Sequence, residues 1–265
     1  MCKRDNRPNV KGIHMTQQDC LEGRHAVLEA LRTRRPLDKL YILRSSKDAQ
    51  EDTALASIRT LAKAARVPIV EVDRRRLDAM SVTHAHQGVI AQIPAADYAT
   101  VEDILRAADA SPDPALIVLC DGLEDPHNLG AIVRTAGAAG ANGVIIPKHR
   151  SVTLTASCAK AAAGALEHVP VARVTNLADT VDLLKKRNIW VFGTAGEATI
   201  SLYEADFNRD CAVIIGNEGS GLSRLVRERC DYLVSIPMKG AVPSLNASAA
   251  AAVVLFEAVR RRLGK

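Results

Sequence analysis

Three polar segments interrupt the apolar C-terminal two-thirds of this chain: "DPHNLGAIVRTAGAAG" (125–140), "VIIGNEGSGLS" (213–223) and "IPMKGAVPSLNASAA" (236–250). In the first, Arg134 is the only Lys, Arg, Asp or Glu between Pro126 and Pro147. Its guanidinium, set among Gly, Ala, Ile, Val and Leu, needs an anion, a set of carbonyls or solvent. Asn128 is either a local capping group or a hydrogen-bond partner in a site. The second segment follows a strand-like run with Gly216, Gly219 and Gly221, the outline of a phosphate-cradling loop, yet Glu218 sits inside it and repels a phosphate. It has no GK[ST], no strict GxGxxG, and it does not open its domain, so a nucleotide or dinucleotide site is disfavoured. In the third, Ser244 and Asn246 straddle the start of an alanine-rich helix, where both types serve as N-caps. There is no GxSxG and no HExxH, and the seven histidines show no ligand spacing, so serine hydrolase and zinc chemistry are not expected.

These side chains are placed by an alternation of strand-like and helix-like pieces. The C-terminal reading is strand 115–120, helix 126–140, strand 143–146, helix 155–163, strand 169–173, helix 176–187 and strand 188–193. It continues with strand 210–215, helix 222–229, strand 231–236 and helix 245–263, which predicts an α/β domain with a mainly parallel sheet. Each polar segment falls at a strand-to-helix junction, where a site is assembled from strand ends and helix starts. Upstream, "GRHAVLEALRT", "DKLYILR", residues 49–66, "VPIVEV" and "GVIAQI" read as a smaller α/β unit. The domain expectation is a flexible tail over 1–17, a first domain over 18–95, a linker over 96–114 carrying one acidic helix, and a second domain over 115–265.

The 265 residues are 48% hydrophobic and 25% charged, an ordinary globular composition. The longest apolar run, "AAAAVVLF" (249–256), is far short of the ~20 residues of a membrane-spanning helix. The basic, polar first sixteen residues do not read as a secretory signal, so a cytoplasmic protein with no membrane and no metal partner is expected. The six cysteines lack CxxC spacing, and Cys120 and Cys211 lie in strand-like runs as expected buried thiols. Residues 1–97 hold 17 Lys+Arg against 12 Asp+Glu, whereas 98–265 hold 18 of each, so the whole net charge of +5 is N-terminal. The clusters "RTRR" (Arg32, Arg34, Arg35) and "RRR" (Arg74–Arg76) either track a phosphate backbone or are solvated helix ends and turns.

Taken together, the three segments resemble the ordered motifs of the SpoU/TrmH family of RNA ribose 2′-O-methyltransferases. "EGRHAVLEALR" and "HQGVIAQI" resemble the N-terminal RNA-binding domain of bacterial members that methylate a guanosine of 23S rRNA, and "VTNLADTVDLLKKRNIWVFGTAGEA" resembles their middle segment. The resemblance implies a SPOUT-type α/β catalytic domain with a C-terminal trefoil knot, preceded by a small α/β ribosomal-protein-like RNA-binding domain. It implies a homodimer that uses S-adenosyl-L-methionine on an RNA partner. The implied catalytic set is Asn128, Arg134, Glu218, Ser244 and Asn246, with Thr194, Gly216, Asn217, Ile236, Met238 and Leu245 at the cofactor. Arginine's very high pKa favours positioning and electrostatics for Arg134 over general-base work. The same chemistry on tRNA or at another rRNA site, including a resistance-type methylation, is the alternative target. A non-catalytic RNA-binding assembly protein is disfavoured because Arg134 and Asn246 are both present.

Overall fold

A computed structural model of the chain describes residues 20–44 and 52–264. It divides into two compact units, residues 1–94 and 95–265. The expected 1–17 tail, Cys2 and the first three residues of the helix expected over 49–66 lie outside the described residues.

The first unit contains β1 (Cys20–Glu22), α1 (Arg24–Arg32), β2 (Lys39–Leu43), α2 (Thr53–Ala64), β3 (Ile69–Val72), α3 (Arg74–Met80) and β4 (Val89–Gln92). Its mixed sheet runs β1-β4-β2-β3, antiparallel except for the β2–β3 pair. Val27, Ala30 and Leu31 of α1 and Leu55, Ile58 and Ala62 of α2, at helical spacing, pack on Leu40, Ile42, Val89 and Ala91. Helix α3 was not expected. Its three consecutive arginines hide a short amphipathic turn, N-capped by Asp73 and burying Leu77 and Met80. Arg32, Arg34, Arg35, Arg74 and Arg75 are all exposed, at helix ends and the turn after α1. The Glu22 carboxylate accepts from the Ser81 hydroxyl (2.6 Å), the Thr83 hydroxyl and the Val82 and Thr83 amides, tying β1 to the 81–83 turn. Burial alone pushes the Glu22 carboxyl up, but these hydrogen bonds outweigh it and hold the group below its usual value.

The second unit contains α4 (Val101–Asp109), β5 (Leu116–Cys120), α5 (Pro126–Ala138), β6 (Gly143–Pro147), α6 (Ala156–Ala162), β7 (Val171–Val174), α7 (Leu177–Lys186), β8 (Trp190–Thr194), β9 (Ile200–Ser201), β10 (Cys211–Ile215), α8 (Arg224–Arg229), β11 (Tyr232–Ser235) and α9 (Ala247–Arg262). Its seven-stranded sheet has the order β7-β6-β5-β10-β8-β11-β9, with every ladder parallel. A parallel sheet is covered on both faces, which explains why "LIVLC" and "CAVII" are uninterrupted apolar runs and wholly buried. Alternate residues serve opposite layers: Leu116, Val118 and Cys120 face α5, α6 and α9, while Ile117 and Leu119 face α4, α7 and α8.

The segment expected as a linker, 96–114, is part of this unit. A Thr100–Asp103 capping box starts α4, and Ile104 and Leu105 enter the core against Ile117 and Ile145. Ala95 already donates its amide to Leu154 at 2.6 Å, so integration begins directly after Pro94. The Pro- and Ser-rich composition conceals an amphipathic stripe of only three buried residues.

Two close fits fix the site's scaffold. A Cβ on Gly130 would lie 2.4 Å from the Cys158 carbonyl oxygen, so glycine alone lets α5 press onto α6. The Arg262 guanidinium, in the last turn of α9, donates to the carbonyls of Phe207, Pro114, Ala115 and Arg209 at 2.7–3.2 Å, anchoring α9 to the entrances of β5 and β10.

Candidate functional site

Asp125 caps α5 by accepting from the His127 amide (2.8 Å), and Pro126 presets the first helical position; this entry places Asn128 in the first turn, at the C-terminal edge of the sheet. Asn246 caps α9, its Oδ1 accepting from the Ser248 amide (3.0 Å) and hydroxyl (2.6 Å). Between these two helix starts sits Glu218. Its Oε1 accepts from Asn128 Nδ2 (2.9 Å), Asn246 Nδ2 (2.6 Å) and the Ala247 amide (3.2 Å), and Asn246 Nδ2 also reaches Asn128 Oδ1 (2.9 Å). One carboxylate thus joins all three polar segments, seated at the positive end of the sixteen-residue α9. Glu218 and Asn246 are exposed and Asn128 half-buried, so a large substrate has access to the cluster. Asn246 combines the expected capping role with a place in this network.

The glycine loop is shaped by closure. Asn217 and Gly221 exchange backbone hydrogen bonds at 2.9 and 3.0 Å, and a Cβ on Gly216 would lie 2.6 Å from the Gly221 carbonyl carbon. Gly221 has φ +66°, in the left-handed region. The Gly219 and Ser220 amides, which in a phosphate loop face an anion, here donate to Asn217 Oδ1 at 2.9 and 3.1 Å. Asn217 Nδ2 donates to the Gly122 carbonyl (2.9 Å), bracing the loop against the end of β5.

Beside the cluster lies a cavity of about 320 Å³ at the C-terminal ends of β8, β10 and β11. Thr194, Gly216, Asn217, Ile236, Met238 and Leu245 all line it, as do Glu218 and Ser244. Thr194 Oγ1 donates to the Ile214 carbonyl (2.9 Å), locking the end of β8 to β10. Asn128 and Asn246 do not line the cavity; they reach its wall through Glu218. Arg134 is not part of it either. Periodicity turns Leu129, Ile132, Val133 and Ala136 into the core and leaves Arg134 exposed beyond the opposite face of α5, its guanidinium with no hydrogen bond or ion pair among the described residues. Of the options open to it in the sequence, solvent is the one it takes here.

Sequence reasoning missed the ion pair of Arg227 with Glu197, which flanks the cavity. The only local signal was a "GEA" turn following a strand. Hydrogen bonds from its own backbone and from Arg227 hold the Glu197 carboxyl below its usual value despite opposing desolvation. The cavity suits a ligand held mainly by backbone and apolar surface. It offers no cluster of free cations for a phosphate, and Glu218 on its wall suits a cationic centre. Burial pushes the Cys120, Cys158 and Cys230 thiols up to about 12 and Cys211 to about 11, favouring the neutral thiol.

The second unit is a doubly wound α/β sheet with a polar cluster where three loops meet, and it follows a basic α/β unit. The chain belongs to the SpoU/TrmH family: residues 115–256 match the SpoU rRNA Methylase family, and residues 20–99 match the RNA 2′-O ribose methyltransferase substrate binding family. YacO of Bacillus subtilis (strain 168), named for the TrmH family of tRNA/rRNA methyltransferases, is 46% identical over 246 residues, 93% of this chain and 97% of its own length. Among solved structures, the SpoU methyltransferase AviRb from Streptomyces viridochromogenes, in complex with the cofactor AdoMet, superposes with a TM-score of 0.58 at 28% identity over 93% of this chain and 91% of that one. A structure described as giving insight into 2-OH methylation of C/U34 on tRNA matches with a TM-score of 0.53 at 29% identity, over 57% of this chain and 99% of its own.

Proposed function

We propose that the protein is an S-adenosyl-L-methionine-dependent RNA ribose 2′-O-methyltransferase whose substrate is a guanosine of 23S rRNA, acting as a homodimer in the cytoplasm. The observation that carries the site assignment is the Asn128–Glu218–Asn246 cluster on the rim of the 320 Å³ cavity. The 23S guanosine rests on the resemblance of "EGRHAVLEALR" and "HQGVIAQI" to the RNA-binding domain of enzymes with that target. A tRNA target is the second reading, favoured by the C/U34-tRNA relative.

The cofactor, when bound, supplies an electrophilic methyl group on a cationic sulfonium. Backbone around Thr194, Gly216, Ile236, Met238 and Leu245 holds it, with the Asn217 brace keeping the loop closed. Glu218 fixes the Asn128 and Asn246 amides, so that the ribose hydroxyl meets preorganised donors and acceptors. Ser244, on the cavity wall, is a further hydrogen-bond partner. Arg134, which the family resemblance places in the catalytic set, faces solvent away from its own chain's cavity and offers its guanidinium to an RNA phosphate. The trefoil knot implied by the family resemblance belongs to this proposal. So does the dimer, supported by Phe256 of α9, an apolar side chain left 48% exposed. The decisive experiment is methyl incorporation from labelled cofactor into 23S rRNA and tRNA transcripts, followed by mapping of the nucleotide. Incorporation into tRNA alone overturns the substrate assignment, and a monomer by light scattering overturns the dimer.

A further inference from the structure

A second cavity, of about 510 Å³, lies on the far side of the glycine loop from the first. Both open at the C-terminal edge of the sheet, and Asn217, Ser220, Gly221 and Leu222 contribute to the walls of both. The volume falls within the ~300–1,000 Å³ of ligand-holding clefts. Its chemistry differs from that of its neighbour. His149 and Arg150 at its mouth are exposed and have no hydrogen bond or ion pair among the described residues. Arg150 is also held at φ +54°, an uncommon conformation for a side chain of this size. Leu177 and Leu225 form an apolar wall, and Leu225 remains 52% exposed there. The carboxylates lining the cleft are Asp121, which accepts from the Ser223 amide at 2.7 Å, and Glu124, which is exposed and unpaired among the described residues.

We propose that this cleft is a nucleotide-binding subsite, holding an unstacked nucleotide that flanks the methylated one in the RNA substrate. His149 and Arg150 take its phosphate, Leu177 and Leu225 pack on its base, and Glu124 accepts from the base's N–H donors. The inference rests on the RNA methyltransferase reading of the adjoining site. Sharing one loop as a common wall, the two cavities place a neighbouring nucleotide beside the reacting ribose, and the flank of the target becomes part of what the enzyme reads.

The test uses the full chain with S-adenosylhomocysteine saturating the first cavity, leucine methyls isotopically labelled, and guanosine monophosphate as the probe. Saturable shifts of the Leu225 and Leu177 methyls are expected, with Leu245 in the first cavity unmoved, and Arg150→Ala weakens the titration. In parallel, His149→Ala/Arg150→Ala raises KM for RNA about tenfold and makes the salt dependence of binding shallower by about one in log–log slope, with kcat and S-adenosylhomocysteine affinity unchanged. Absence of shifts at Leu225 and Leu177, or a KM equal to that of the unmodified chain, overturns the subsite. A chain that binds the nucleotide there yet transfers no methyl to any RNA sinks the functional reading and leaves the subsite standing.

Discussion

Glu218 gathers two side-chain amides and a backbone N–H on one oxygen, so replacing it changes three contacts at once. Glu218→Ala frees the Asn128 and Asn246 amides to rotate, and kcat for methyl transfer is expected to fall about 100-fold or more, as for the loss of a preorganising group. Binding of S-adenosylhomocysteine by calorimetry should change only a few-fold, because the backbone that lines the cavity is untouched. Equal losses in both measurements would mean that Glu218 only shapes the loop. Glu22 makes a different prediction. Its folded-state pKa is depressed, so its contribution is present above the ordinary glutamate value of 4.5 and disappears as pH falls through the lowered one. Thermal melts at pH 7 and pH 4 should therefore differ less in Glu22→Gln than in the unmodified chain. A difference of equal size would show that the network around Ser81 and Thr83 is not linked to stability. The residue types of the cluster were legible in the sequence, but Arg134 was not. One charge in an apolar segment left an anion, a set of carbonyls and solvent open, and only the phase of α5 shows it turned outward.

Helix α5 owes its position to Gly130, whose missing side chain admits the α6 backbone. Gly130→Ala puts a methyl where 2.4 Å is available, and the contacting atom is a carbonyl oxygen that cannot swing aside. A loss of about 1–3 kcal/mol in urea unfolding is expected, with activity falling further because Asn128 moves with the helix. A neutral effect would show that the α5–α6 contact relaxes freely. Most elements of the second unit were readable, since parallel strands are continuous apolar runs and the caps at Asp125 and Asn246 mark helix starts. The failures were short pieces. Helix α3 and the β9 strand are too brief for periodicity to register, and although the acidic helix that became α4 was read, its flanking Pro and Ser residues made its segment read as a linker.

At the scale of the whole chain, the excess basic charge and the substrate-binding match coincide on the first unit, and the cavities belong to the second. Removing residues 1–94, a cut that keeps the Ala95–Leu154 hydrogen bond, should abolish RNA methylation while S-adenosylhomocysteine still binds. RNA binding by the intact protein should weaken steeply between about 50 and 200 mM salt. Full activity of the shortened chain on rRNA would break this division of labour. The sequence by itself determined the α/β class and the family, and singled out Asn128, Glu218 and Asn246 as candidates, because apolar periodicity, caps and ordered motifs are local properties of a chain. Tertiary structure alone decided that those residues share one carboxylate oxygen, that Asn217 fills the anion nest of its own loop, and that a second cleft backs onto the first. The nest is closed by residues two and three positions away, but the Asn128–Glu218–Asn246 contacts join positions up to 118 residues apart, and only the parallel sheet, by bringing the C-terminal ends of its strands to one edge, makes them neighbours.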